Sequence, residues 1–178
     1  GTATRAAAAT PVATPGGATG GTVRDVSVTV VDGSEANSLD PPIGTGPFQS
    51  IMNGIYEGLV TWNDKMDLDP VLATAWEASA DGKQWTFKLR PGVKFHDGTP
   101  FTSEAVKVSI EHLLDPATAS NRRSSYTLIK NIATPDPLTV VFTTDPPNPD
   151  IPYLMADGSA RIISPAALQK FGKDFGRN

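Results

Sequence analysis

The residues of this chain whose types can do chemistry are few: His96-Asp97, His112, Ser124-Ser125, Arg122-Arg123 with Tyr126, and the polar stretch around Asp40. An imidazole beside a carboxylate suits a metal ligand or a general base. Adjacent positions do not share one side of a strand, however, and no second His/Glu cluster accompanies them, so Asp97-Gly98 makes His96-Asp97 a turn. His112 falls in the last turn of a helix, where the dipole favours a cation, and reads as a surface residue. Ser124 and Ser125 lack a G-x-S-x-G frame and a base. Gly44-Thr45-Gly46 precedes a helix and can present N–H groups to an anion, although so short a glycine pair is ordinarily a turn. No catalytic residue, metal site or cofactor follows from these patterns.

Binding chemistry is better supplied. The stretch Pro116 to Tyr126 reads P-A-T-A-S-N-R-R-S-S-Y. Arg122 and Arg123 can clamp a ligand carboxylate in bidentate fashion, and Tyr126 offers stacking area with a hydroxyl. The same composition also suits a solvated loop. In Ser38-Leu39-Asp40-Pro41, which runs on to Phe48 from a strand exit, Asp40 can meet a peptide amine or make an Asx-Pro turn.

Elements must position these residues. Trp85, Phe87 and Leu89 alternate with Gln84, Thr86, Lys88 and Arg90, a period of two that predicts a half-buried strand. Asp81-Gly82 tolerates the positive φ of a tight reversal, so Ala75 to Ser79 pairs with Gln84 to Arg90, with Trp76 packed alongside. A short strand Val93-Lys94-Phe95 follows. Thr102 is the expected N-cap of a helix carrying Glu104 in its first turn and Val106, Ile110, Leu113 and Leu114 on one face, ended by Asp115-Pro116. Upstream, Arg24 to Val31 alternates as a strand, and Gly46-Pro47 opens a helix with Phe48, Ile51, Met52 and Ile55 inward and Gly58 as its stop. Downstream, Thr127 to Ala133 and Leu138 to Thr144 form a hairpin across Thr134-Pro135-Asp136-Pro137. A short helix lies near Asp150 to Met155, and Ser164-Pro165 starts another that Gly172 closes. The fold class is α+β: a mostly antiparallel sheet built from hairpins, with helices packed on it.

A length of 178 residues suits one well-buried domain, or one domain with an extension, and a net charge of −4 argues against a nucleic-acid partner. There is no cysteine, hence no disulfide framework or thiolate chemistry. Residues 1–22 hold Ala, Thr, Pro and Gly with one charge, too little apolar surface to offset ordering entropy, and are expected to form a flexible tether. No apolar run reaches transmembrane length and no intact signal peptide is present.

The run from Leu72 to Leu114, with A-T-A-W-E, W-T-F-K-L-R-P-G-V-K-F-H-D-G-T-P-F-T and the helix after it, resembles the signature region of the peptide- and nickel-type (family 5) extracellular solute-binding proteins. Asn53 to Val60, N-G-I-Y-E-G-L-V, resembles the same family. The resemblance runs from about Val23 to the end of the chain. It implies part of lobe I of a two-lobed periplasmic-binding-protein-like fold, with the second lobe absent. Residues 23–43 would belong to the first subdomain and 44–178 to a contiguous α+β subdomain. It further implies a small ligand such as an oligopeptide, an ABC permease as partner, an extracytoplasmic location and a parent tethered to the membrane, as lipoproteins of this kind are. It also places Ser38, Leu39, Asp40 and Phe48, and the loop of Arg122, Arg123 and Tyr126, beside the ligand cleft. The function expected is therefore ligand capture, not catalysis. The rival readings are an exported hydrolase using His96 and Asp97, and an adhesion or interaction module on a flexible stalk.

Overall fold

Alternation along the strands determines how the sheet is built. In the computed structural model, which describes residues 38–44 and 49–177, β3 (Ala73–Ala78), β4 (Gln84–Leu89), β5 (Ile129–Asp136) and β6 (Thr139–Thr144) form an antiparallel sheet in the order β3-β4-β6-β5. Trp85 faces Phe142, and Phe87 faces both Trp76 and Val140, so the bulky side chains of adjacent strands share one face. Phe87 packs edge-on against Phe142 at 5.6 Å and lies 6.3 Å from Trp76 in an offset stack. Such aromatic geometry adds to simple area burial. Phe87 and Leu89 are buried as the alternation predicts. Trp85 is only half-buried, because it sits near the sheet end and turns its indole N–H to the Asn148 carbonyl at 2.9 Å.

Helix α2 (Ser103–Leu114) packs over β5 and β6, burying Val106, Ile110 and Leu113 in the same core as Phe87 and Phe142. Thr102 occupies the N-cap position with extended backbone, but its side chain makes no capping bond. Instead the next residue docks the helix: Ser103 donates its N–H to the Pro137 carbonyl at 2.8 Å and its hydroxyl to the Asp136 carbonyl at 2.6 Å. The β5–β6 connection is shorter than expected. β5 runs on through Pro135 to Asp136, since it is an edge strand with a register shift between Ala133 and Asp136, where a missing N–H is tolerated. Val93 to Phe95 forms no strand, only a single bridge between Lys94 and Pro100, because proline has no N–H to extend the pairing.

Helix α1 spans Gln49–Ile55 and ends three residues before Gly58. Gly58 is a packing residue: a Cβ there would lie 3.1 Å from the Met155 carbonyl oxygen. Met52 is buried, while Ile55 is exposed. The chain then forms a small hairpin that periodicity had not indicated, β1 (Val60–Trp62) with β2 (Leu68–Pro70). Single-turn helices α3 (Arg123–Tyr126) and α4 (Ile151–Leu154) follow later, then α5 (Pro165–Phe171). As the sequence indicates, Ser164 caps α5 by accepting the Ala167 N–H, and Gly172 ends it with φ of 52°. The tether 1–22, the strand Arg24 to Val31, the Gly46-Pro47 helix start and Phe48 lie outside the described residues. Among the described residues no helix is long and apolar enough to cross a membrane.

Candidate functional site

Loop 38–44 is fastened to the rest of the domain through Leu39 and Asp40. Ser38 is buried, and its hydroxyl accepts the Asp40 N–H at 3.0 Å. The Leu39 N–H donates to the Gly176 carbonyl at 2.7 Å, and the Asp40 carbonyl accepts the Ile43 and Gly44 N–H groups at 3.0 and 2.8 Å. Gly176 has φ of +80°, and a Cβ on it would fall 2.3 Å from the Asp40 nitrogen, so only glycine permits this approach.

The Asp40 carboxylate points inward. Its Oδ2 lies 2.8 Å from His112 Nε2, and the other ring nitrogen of His112 lies 3.1 Å from the Thr118 hydroxyl. In a neutral imidazole one nitrogen donates and the other accepts, so an Nε2–H given to Asp40 pairs with an Nδ1 that accepts the Thr118 hydroxyl. His112 is therefore no surface residue: its ring is mostly buried, with Phe175 packed edge-on at 6.4 Å. Asp40 Oδ1 is buried without a hydrogen-bond partner. The side chain therefore makes no Asx turn: one carboxylate oxygen is engaged by His112 and the other is buried.

The segment after α2 is ordered by similar means. Asp115 Oδ1 accepts the Ala117 N–H of a 3₁₀ turn over Pro116–Thr118, and Ala119 takes the left-handed conformation. The two arginines then diverge. Arg123 Nε donates to the Leu114 carbonyl at 2.7 Å, satisfying one of the carbonyls left free at the α2 C-terminus. Arg122 faces outward, with half of its side chain exposed, and Nη2 contacts Asp157 Oδ2 at 2.6 Å. Burial pushes the Asp157 carboxyl up, but the Ser159 hydroxyl and N–H and the Arg122 guanidinium outweigh it and hold it below the usual range. Tyr126 offers no stacking face: it is wholly buried, its hydroxyl donates to the Leu154 carbonyl at 2.8 Å, and burial pushes its phenol far up.

Of the residues picked out from sequence, Ser38, Leu39 and Asp40 thus form one rigid loop, and Arg122, Arg123 and Tyr126 a second ordered segment. His112 joins them, touching Asp40 on one side and Thr118 on the other. It was missed because a histidine in the last turn of an amphipathic helix looks the same in sequence whether it faces water or a buried carboxylate.

A cleft of about 520 Å³ opens nearby, lined among others by Tyr56, Glu57, Phe95, His96, Asp97 and Phe175. Burial, then the negative charge of Asp40, pushes the Tyr56 phenol up. The Asp97 carboxylate accepts the Ser164 hydroxyl on one oxygen and the Thr99 N–H and hydroxyl on the other, and these bonds, Ser164 foremost, hold it below the usual range. A hydrolase would need His96 to take a proton from a nucleophile. The Ser164 hydroxyl in the same cleft is bonded to Asp97 and caps α5. Among the described residues no three His, Asp or Glu side chains converge on a metal position.

The described residues thus form an antiparallel sheet with α2 across it and ordered segments at 38–44 and 116–126. Residues 67–177 match the family described as bacterial extracellular solute-binding proteins, family 5 Middle, and the chain belongs to that family. It is 40% identical over 157 residues to the glutathione-binding protein GsiB of Escherichia coli (strain K12), which covers 86% of this chain and 30% of that protein. Among solved structures it is similar to Haemophilus influenzae OppA in complex with RPPGFSPFR, with a TM-score of 0.74, 29% identity, and coverage of 81% of this chain and 32% of that one. It is also similar to the binding protein AgaA from A. tumefacien R10 in complex with agropinic acid, with a TM-score of 0.70, 34% identity, and coverage of 76% and 28%. These structural relatives are two-lobed periplasmic binding proteins. The chain thus spans about a third of the length of the proteins it resembles.

Proposed function

We propose that this chain forms the N-terminal part of an extracytoplasmic solute-binding protein that captures a short peptide, or a comparable amino-acid derivative, and delivers it to an ABC importer without performing chemistry on it. Membership of family 5 carries this reading. The relatives named above for glutathione, an oligopeptide and agropinic acid support an amino-acid-derived ligand. Residues 1–22 would be the tether, 23–43 would lead into the first subdomain, and 44–178 would be the contiguous α+β subdomain. Closure would bring a second lobe onto the rim, since a hinge-closing protein gains affinity only from contacts both lobes supply. Calorimetry of this chain with a mixed di- to pentapeptide library is expected to show no tight binding, whereas the complete protein binds. A sub-micromolar Kd for the chain alone would refute the need for a second lobe.

On this reading the ligand-facing rim consists of loop 38–44 and the segment 116–126, with Asp40, Arg123 and Tyr126 holding it in shape and Arg122 reaching the ligand. Arg122→Ala in the complete protein is expected to weaken binding of a carboxylate ligand by about 1.5–3 kcal/mol, the scale of a charge-assisted contact. Its melting temperature should barely move, because an exposed ion pair contributes about 0–1 kcal/mol. Unchanged affinity for every transported ligand would place the contact elsewhere on the rim.

A further inference from the structure

The hairpin β1–β2 exposes what a small ribbon ordinarily hides. Trp62, at the end of β1, stacks on Tyr153 of α4 with ring centroids 5.4 Å apart and planes 14° from parallel. The two residues are 41% and 48% exposed, and Met66, at the hairpin tip with φ of 62°, is 70% exposed. Around them stand Asp64, Asp67 and Asp69 against the single Lys65, and Asp150 precedes α4; all of these are exposed.

The patch is also tied together by hydrogen bonds across its turn. Asn63 Oδ1 accepts the Lys65 and Asp67 N–H groups at 2.9 and 3.0 Å, and its Nδ2 donates to Asp69 Oδ1 at 3.0 Å. The backbone closes the same turn, Asn63 N–H to the Asp67 carbonyl and Met66 N–H to that of Asn63. A two-stranded ribbon is marginal by itself, yet this one is tied across its turn and braced on α4 through the ring stack. Rings held in place lose little entropy on docking, and Trp and Tyr are the residues over-represented where binding energy concentrates.

We propose that Trp62, Tyr153 and Met66, rimmed by the aspartates of hairpin 60–70, form the surface by which the binding protein docks on its importer, against a permease loop carrying Arg or Lys beside apolar side chains. The inference rests on the functional reading above. Charge selects this occupant: a cation can sit on the Trp62 face while meeting the acidic rim. A second copy of the chain fits badly, because a two-fold contact through this patch would set one acidic hairpin against the other.

The test uses the complete binding protein with its importer reconstituted in proteoliposomes, measuring ATP hydrolysis against binding-protein concentration, with peptide affinity by calorimetry in parallel. Trp62→Ala/Tyr153→Ala is expected to raise the concentration for half-maximal stimulation at least tenfold and leave peptide affinity unchanged. Asp64→Lys/Asp67→Lys is expected to raise it too, and to flatten its dependence on salt. An unaltered half-maximal concentration in both variants overturns the proposal. So does a loss of peptide affinity in the aromatic variant, which would place the rings against the protein's own second lobe. So does a wild-type dimer in sedimentation that the aromatic variant dissolves. A wild-type protein that binds peptide but stimulates no importer removes the transport reading, and the docking surface falls with it.

Discussion

His112→Ala will destabilise this chain by about 1–3 kcal/mol in a denaturant titration, the scale of leaving a buried acceptor without its hydrogen bond. The substitution leaves the Asp40 side chain buried with neither oxygen hydrogen-bonded to another side chain, since Oδ1 already lacks a partner and Oδ2 has His112. Thr118 loses its acceptor in the same step. Asp40→Ala/His112→Ala is expected to cost clearly less than the sum of the single substitutions, because removing both members abolishes the stranded group as well as the contact. Additive costs, or a loss under about 1 kcal/mol for His112→Ala, would show that the pair does not hold loop 38–44 on α2.

The second large effect lies in the sheet. Phe87→Ala is expected to cost about 3–5 kcal/mol, because the ring is wholly buried between Phe142 and Trp76 and its removal leaves a cavity the strands cannot collapse. Trp85→Ala should cost less, since part of that ring is solvated and its indole bond to Asn148 sits near the sheet end. Lys88→Ala, on the opposite face, loses only an ammonium contact to the Thr139 hydroxyl at 3.0 Å and should cost less still. Equal losses for Phe87 and Lys88 would contradict the register in which Phe87 meets Val140, because a slip by one residue exchanges the two faces.

These two predictions divide according to what was legible beforehand. Local order was written in local patterns. The period of two in Gln84 to Arg90 specified β4 and its buried face. Asp81-Gly82 specified the first reversal, Ser164-Pro165 the start of α5, and the stripe Val106, Ile110 and Leu113 the inward side of α2. Each of these depends on neighbours within a few residues, where backbone preference and burial agree. The motif run from Leu72 to Leu114 likewise sufficed to indicate the family.

The rim needed the tertiary structure, because its contacts join residues far apart in the chain. Asp40 meets His112 across 72 positions, and Gly176 admits loop 38–44 by having no side chain. Neighbouring arginines of identical type part company because Leu114 offers a free helix-end carbonyl to one while Asp157 stands before the other. Tyr126 reads as a loop aromatic until the fold seals it beneath α4, and Trp62, undistinguished in a three-residue strand, becomes half of an exposed stack only because α4 brings Tyr153 to it. Sequence by itself determined which segments are strand or helix and which of their faces turn inward, since hydrophobic periodicity is read within one element. Which polar side chains are buried in holding the fold and which stay exposed was decided by the packing between elements, since a hydrogen bond or a burial depends on whatever the fold brings opposite.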